Sequence, residues 1–156
     1  MDIKNDDEKY RQISPVQIRF NDIDGQRHVN NAVFQSYFDI GREDYFVSIN
    51  GEDYHPGGKS VVIASVKTDF RIPIFRHDKI QVETRVVAIG EKSLTMQQRI
   101  TGIYDGEVKA EAVTVFSGFD YDRQKSMEIL PELRAAIEAF EQRSFGDGTA
   151  AETAAP

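Results

Sequence analysis

The chain has 156 residues, 40% of them hydrophobic, with a formal net charge of -7 and no cysteine. That length supports one domain with a single core. The acidic balance argues against nucleic acid as the main partner, and the lack of cysteine removes disulfides, thiolate nucleophiles and cysteine zinc sites. No segment approaches the length of a membrane span, so a cytoplasmic protein with neither signal peptide nor membrane anchor is expected.

Residues 1–12 are polar and without period, which predicts a mobile lead-in. A domain over 13–145 follows. Its first strand is predicted from Pro15, with Val16, Ile18 and Phe20 alternating with Gln17 and Arg19. The periodicity then breaks in a polar, turn-rich loop from Asn21 to Asn31. Beyond it Val33, Phe34, Tyr37, Phe38, Gly41 and Tyr45 recur at helical spacing, predicting a helix over 32–49 with an apolar arc wide enough to be wrapped by a sheet. Gly41 lowers helix propensity by about 1 kcal/mol relative to Ala, so a close backbone approach is expected there.

Residues 50–58 read as a loop. Four strands follow as a predicted antiparallel meander: Val62, Ala64, Val66, Thr68 and Phe70 on one face, then Ile80 to Ala88, Leu94 to Ile100, and Val108 to Phe116 after an Asp105-Gly106 hairpin signal. Pro131 opens a last helix that Leu133, Ile137 and Phe140 would dock on the sheet. Residues 146–156 carry no apolar anchor and read as a disordered tail.

The loop between first strand and helix concentrates the chemistry. It holds Asp22, Asp24, His28, Asn30 and Asn31 next to a helix N-terminus. By position alone Asp24 reads as an Asx-turn or cap, and His28 as an ordinary loop histidine. An anionic oxygen there could nevertheless attack a carbonyl or take a proton from water. Asn31 reads as the helix N-cap, which leaves the N–H groups near Ala32 and Val33 to stabilise an oxyanion. Gly57-Gly58-Lys59-Ser60 lacks the first glycine of a phosphate loop, where Asp53 stands instead. His28, His55 and His77 show no paired-ligand spacing, so no metal is predicted, and no G-x-S-x-G elbow occurs.

Asp22-Ile23-Asp24, His28-Val29-Asn30-Asn31 and Phe34 resemble the D-x-D-x3-H-V-N-N motif of hot-dog-fold acyl thioesterases, both the 4-hydroxybenzoyl-CoA thioesterase-like and the plant acyl-ACP groups. Tyr37-Phe38-Asp39-x-Gly41-Arg42 is similar to the Y-F-[DE]-x-[AG]-R continuation on that family's central helix. The resemblance implies an α+β hot-dog fold and an acyl-CoA thioesterase. Asp24 would be nucleophile or general base, His28 would orient it or the substrate, Asn30 would position, and Asp22 would cap the loop. It also implies a homodimer or dimer of dimers with the site at the interface, an acyl-CoA or acyl carrier protein substrate, and no cofactor. Lys67, Arg71, Arg76 and Lys92 are the candidates for contacting coenzyme A phosphates. Two other readings stay open: a hot-dog hydratase or dehydratase, and a non-catalytic acyl-CoA-binding module.

Overall fold

The structure, a computed structural model, describes residues 9–52 and 58–146. Most of the expected lead-in, the tail beyond Gly146, and His55 and Gly57 lie outside the described residues. Within them, the first strand β1 is Gln12–Val16, two-stranded pairing continuing no further than Val16. Ile18 is buried, but Phe20 is 79% exposed and leaves the core, contrary to the strand pattern read through it. A single 3-10 turn, Phe20–Asp22, bends the chain into the loop and reverses the side-chain alternation there. Pro15 is tolerated because β1 is an edge strand.

The long helix α1, Asn31–Asn50, starts one residue earlier than the pattern implied. Its N-cap is Asn30, whose Oδ1 accepts the Ala32 N–H at 2.9 Å, so Asn31 is the first helical residue and not the cap. The helix buries Phe34, Tyr37, Phe38, Gly41, Arg42 and Tyr45 against the sheet. A Cβ on Gly41 would lie 2.6 Å from Val82 Cγ1 and 2.8 Å from Thr84 Oγ1, which is the close approach expected of it.

The sheet continues with β2 (Lys59–Phe70), β3 (Ile80–Ile89), β4 (Ser93–Gly102), β5 (Val108–Asp120) and a short β6 (Lys125–Ser126); all pairings are antiparallel. The spatial order is β1-β3-β4-β5-β2, with β6 beside β5. β3 to β5 form the meander, but β2 does not join it as a neighbour of β3. The connection over 71–79 instead crosses the end of the sheet, burying Ile74 and carrying the chain from one edge to the opposite side. Asp105-Gly106 does turn the chain, inside a five-residue connection: Gly106 adopts φ 69° and the Gly102 N–H donates to the Glu107 carbonyl.

A register shift between Ile100 and Thr101 sets Val108 opposite Thr101 and off the Ala110 face, and two bulges shift the faces read from alternation on β2 and β3. One, between Ile63 and Ser65, places Ile63 opposite Phe116, and Val66, Thr68 and Phe70 opposite Thr114, Ala112 and Ala110. The helix-side face of β2 is therefore Val61, Ile63, Val66, Thr68 and Phe70, without Val62 or Ala64. The other, between Val86 and Ala88, buries Ile89 fully where Ala88 was expected. Helix α2, Pro131–Glu141, docks Leu133 and Ile137 at the end of α1, where Tyr45, Leu94, Met96 and Phe116 complete the second half of the core. A helix wrapped by a curved antiparallel sheet is the α+β hot-dog arrangement.

Candidate active site

The motif loop is a small hairpin. Ile23 and Val29 form an antiparallel bridge, the Asp24 N–H donates to the His28 carbonyl at 3.0 Å, and the Arg27 N–H donates to the Asp24 carbonyl at 3.0 Å. Arg27 takes φ 69°, so Gly25-Gln26-Arg27 is a three-residue loop closed by a left-handed residue. Asp24 and His28 thus stand opposite each other across it. The hairpin is pinned to the crossing connection by the Val29 N–H on the Ile74 carbonyl, 2.8 Å, and by a bridge between His28 and Phe75.

The two aspartates of the motif have different surroundings. Asp22 is 1% exposed; its Oδ2 accepts the Arg19 backbone N–H at 2.9 Å and the Tyr37 hydroxyl at 2.7 Å, and its Oδ1 accepts the Arg19 guanidinium. Its carbonyl takes the Asn30 N–H at 2.9 Å, tying the carboxylate anchor to the cap of α1. Burial works against the anion, but the Arg19 backbone N–H, the Tyr37 hydroxyl and the Arg19 guanidinium outweigh it and hold the carboxyl below its ordinary value. The Tyr37 hydroxyl is pushed well up by burial and by its bond to Asp22, so it stays a donor. Asp22 is more than the loop cap expected of it, since it also clamps α1.

Asp24 is half-buried, and its Oδ1 accepts the Gln26 N–H at 2.8 Å in an Asx-turn. Oδ2 makes no hydrogen bond among the described residues. The structural reading of an aspartate in a turn is therefore satisfied by one oxygen, with the second left open. The His28 ring does not bond Asp24; Nδ1 lies 3.3 Å from the Val29 carbonyl and Nε2 3.1 Å from Gln26 Oε1. A carbonyl can only accept, so Nδ1 donates; in the neutral ring Nε2 is then an acceptor, and the Gln26 amide turned over would donate to it.

Asn30 spends its Oδ1 on the cap, and the N–H groups of Ala32 and Val33 are both taken, by Asn30 Oδ1 and by the Asn30 carbonyl. They are not free for an oxyanion. The Asn31 N–H, at the first residue of α1, has no acceptor among the described residues, and sequence alone hid it behind its reading as the cap. Of the proposed phosphate contacts, Arg71 pairs with Glu111 at 2.5 Å and Lys67, 4.0 Å from Asp69, faces away from α1, opposite to Thr68 and Phe70. Lys92 sits in the β3–β4 turn, beside the start of α2. Arg76, in the crossing connection, donates to the Ile18 carbonyl at 3.2 Å and stays near the motif hairpin. Among the described residues no three His, Asp or Glu side chains cluster as a metal site, and no helix is long and apolar enough to cross a membrane.

A cavity of about 350 Å³ opens at the other end of α1, between Val47, the start of β2 and α2. Val47 lies sixteen positions beyond Asn31 along the helix, roughly 24 Å at 1.5 Å per residue.

Residues 18–137 match the family described as the thioesterase-like superfamily. The chain belongs to the thioesterase-like superfamily. Thioester hydrolysis is accordingly its reaction class. Within the superfamily, the chain is 32% identical to a thioesterase of Thermus thermophilus whose crystal structure holds coenzyme A and zinc, with a TM-score of 0.77 over 87% of this chain and 98% of that one. It is 24% identical over 124 residues to the long-chain acyl-CoA thioesterase FadM of Escherichia coli, covering 79% of this chain and 94% of the relative. A predicted thioesterase of Bacillus stearothermophilus shares the fold at 23% identity, with a TM-score of 0.74 over 82% of this chain and 94% of that one.

Proposed function

We propose that this protein is a cytoplasmic acyl-CoA thioesterase acting as a homodimer, with Asp24 as the reacting carboxylate. The observation that carries the assignment is the unshared Oδ2 of a half-buried Asp24 in the hairpin that leads into α1, while Asp22 is fully engaged in holding the start of that helix. A thioester carbonyl set between Asp24 Oδ2 and the Asn31 N–H is attacked either by the carboxylate, giving an acyl-enzyme anhydride that water then opens, or by a water that Asp24 deprotonates. In both routes the carbonyl oxygen gathers negative charge, which the Asn31 N–H and the positive end of the α1 dipole stabilise. The coenzyme A thiolate leaves and is protonated. His28 sits opposite Asp24 and contacts the substrate or the water, and Asn30 acts as the cap that fixes the helix start. The coenzyme A bound by the Thermus relative and the substrate class of FadM support the choice of acyl donor.

The dimer reading rests on β2, a twelve-residue edge strand whose helix-side residues Ile63 and Phe70 are 46% and 48% exposed. A copy paired antiparallel along that edge covers both the free backbone groups and the apolar strip.

A panel of acyl-CoA and acyl carrier protein thioesters, followed by release of free thiol, tests the activity. Asp24→Asn keeps the volume and removes the anionic oxygen, so kcat is expected to fall at least about a hundredfold with KM within a few-fold. Parental turnover in Asp24→Asn would reject Asp24 as the reacting group.

A further inference from the structure

Midway along the sheet face that α1 covers, the apolar pattern is interrupted. Thr84 on β3, Gln98 on β4 and Thr114 on β5 are buried among Val82, Met96, Ile100 and Ala112, and Arg42 of α1 is buried against them. Arg42 Nη1 donates to Gln98 Oε1 at 3.1 Å and to Thr114 Oγ1 at 3.2 Å. Gln98 Nε2 donates to Thr84 Oγ1 at 3.0 Å and to the Phe38 carbonyl of α1 at 2.9 Å. Gly41 admits this approach, since a Cβ there would fall 2.8 Å from Gln98 Nε2. The helix is thus bonded to a polar group that spans the three inner strands of the sheet.

Stability alone is a poor reason for such a network. The carboxylate that the guanidinium reaches, Asp39, has a side chain 66% exposed, so among the described residues the charge has no counterion inside the core. Buried charged and polar groups of this kind are often replaced by apolar side chains of like volume with no loss of stability. What apolar side chains do not supply is direction. Their attraction scales with area and lets a helix slide or turn on a sheet, whereas a hydrogen bond weakens steeply off its axis. The bonds of Arg42 and Gln98 therefore fix both the rotation and the height of α1. The motif hairpin is set on the end of the sheet separately, by the Val29 N–H on the Ile74 carbonyl. The bonds of Asp22 to Tyr37 and Asn30 join hairpin to helix at its first turns, where they fix a distance and not the rotation of the whole helix.

We propose that Arg42, Gln98, Thr84 and Thr114 are positioning residues for the reaction: they set α1 on the sheet so that the Asn31 N–H is aimed at the carbonyl oxygen of a thioester held at Asp24. The proposal rests on the thioesterase reading given above. None of the four touches the substrate; they act through the helix that carries the N–H. A misplacement on the order of 1 Å at a reacting group costs about a hundredfold in rate even when the change that causes it is remote.

A fourfold variant, Arg42→Met with Gln98→Met, Thr84→Val and Thr114→Val, replaces the network by apolar side chains of similar size. It is expected to melt near the parent or above it, while kcat for acyl-CoA hydrolysis falls at least about tenfold and KM stays within a few-fold. Two single changes at Thr114 decide the matter even where the fourfold variant does not fold. Thr114→Ser keeps the hydroxyl and deletes a buried methyl, so the melting temperature falls and kcat is kept. Thr114→Val keeps the volume and removes the acceptor, so kcat falls several-fold. All rates are measured well below the melting temperature of each variant. A network that only stabilises the fold would leave kcat parental in every folded variant, Thr114→Val included, and that result would overturn the proposal while leaving the thioesterase reading intact. A parental protein that hydrolyses no acyl thioester would overturn both.

Discussion

Asp22 and Asp24 carry the same side chain two residues apart, and the fold separates them by what each oxygen touches. Asp22 has three partners for its carboxylate and is buried; Asp24 has one, a backbone N–H of its own turn. The motif spacing points to Asp24, and the Asx-turn is legible because its partner is two residues away. The Tyr37 contact is not, because Tyr37 reaches Asp22 only once α1 has packed against the loop. Asn30 and Asn31 are hard to tell apart in sequence for a related reason: either can cap, and backbone dihedrals, not residue type, decide which does. Asp22→Asn should therefore cost about 1–3 kcal/mol in denaturant unfolding at pH 7, the penalty for spoiling a buried hydrogen-bonded group. The pH dependence has a definite sign. With a folded value below the ordinary 3.8, the unfolded chain binds the proton more readily, so the contribution of Asp22 is present above that value and is lost as pH falls through the folded one. The parent should lose stability on acidification below about pH 4 more steeply than Asp22→Asn; parallel curves would remove Asp22 as the source.

At the scale of elements, the docking of α2 combines a legible pattern with a hidden one. Leu133 and Ile137 stand at helical spacing and are buried as that spacing implied. Glu141, at the helix end, is 5% exposed although charged, and its Oε1 accepts both the Tyr45 hydroxyl at 2.8 Å and the Val86 N–H at 2.9 Å. That amide lies at the β3 bulge, so α2, α1 and the irregular point of β3 meet on one oxygen. Bulges of this kind leave no trace in alternation, which is why the faces of β2 and β3 depart from the sequence pattern past Ile63 and Val86. Burial raises the Glu141 carboxyl above its ordinary 4.5, against the opposing pull of the Val86 N–H, the Tyr45 hydroxyl and nearby arginines. Here the folded chain holds the proton more tightly, so stability falls as pH rises from 4.5 through the folded value. A glutamine carbonyl accepts the same two donors without a charge. Glu141→Gln should abolish that fall and match or exceed the parent in melting temperature at pH 8, whereas a variant markedly less stable than the parent at pH 8 would mean that the buried anion is itself required.

For the whole molecule, the antiparallel sheet and its wrapped helix were legible from strand periodicity and short connections, but the strand order was not. Placing β2 at the far edge depends on the crossing connection over 71–79, and that connection also builds the floor under the motif hairpin through Ile74 and Phe75. The same placement leaves β2 without a neighbour on its outer side. On β3, β4 and β5 the helix-side face is covered, with Val82, Met96, Ile100 and Ala110 all fully buried, while on β2 Ile63, Val66 and Phe70 remain 46%, 38% and 48% exposed. A long flat apolar edge is an aggregation hazard unless something defined covers it. Val66 lies next to the centre of the strand, so in a two-fold pair centred there it sits near the axis, within diagonal reach of its own copy. Val66→Lys would bring two ammonium groups together in a desolvated strip, where like charges facing each other are strongly unfavourable, while in the monomer the same side chain reaches water. Light scattering at micromolar concentration should give a dimer for the parent and a folded monomer for Val66→Lys. Acyl-CoA hydrolysis should fall with the dimer if the active site is shared across the subunit interface. A monomeric parent, or a monomeric Val66→Lys that hydrolyses hexadecanoyl-CoA at the parental rate, would show that one chain is sufficient and that the edge is covered by something other than a second copy.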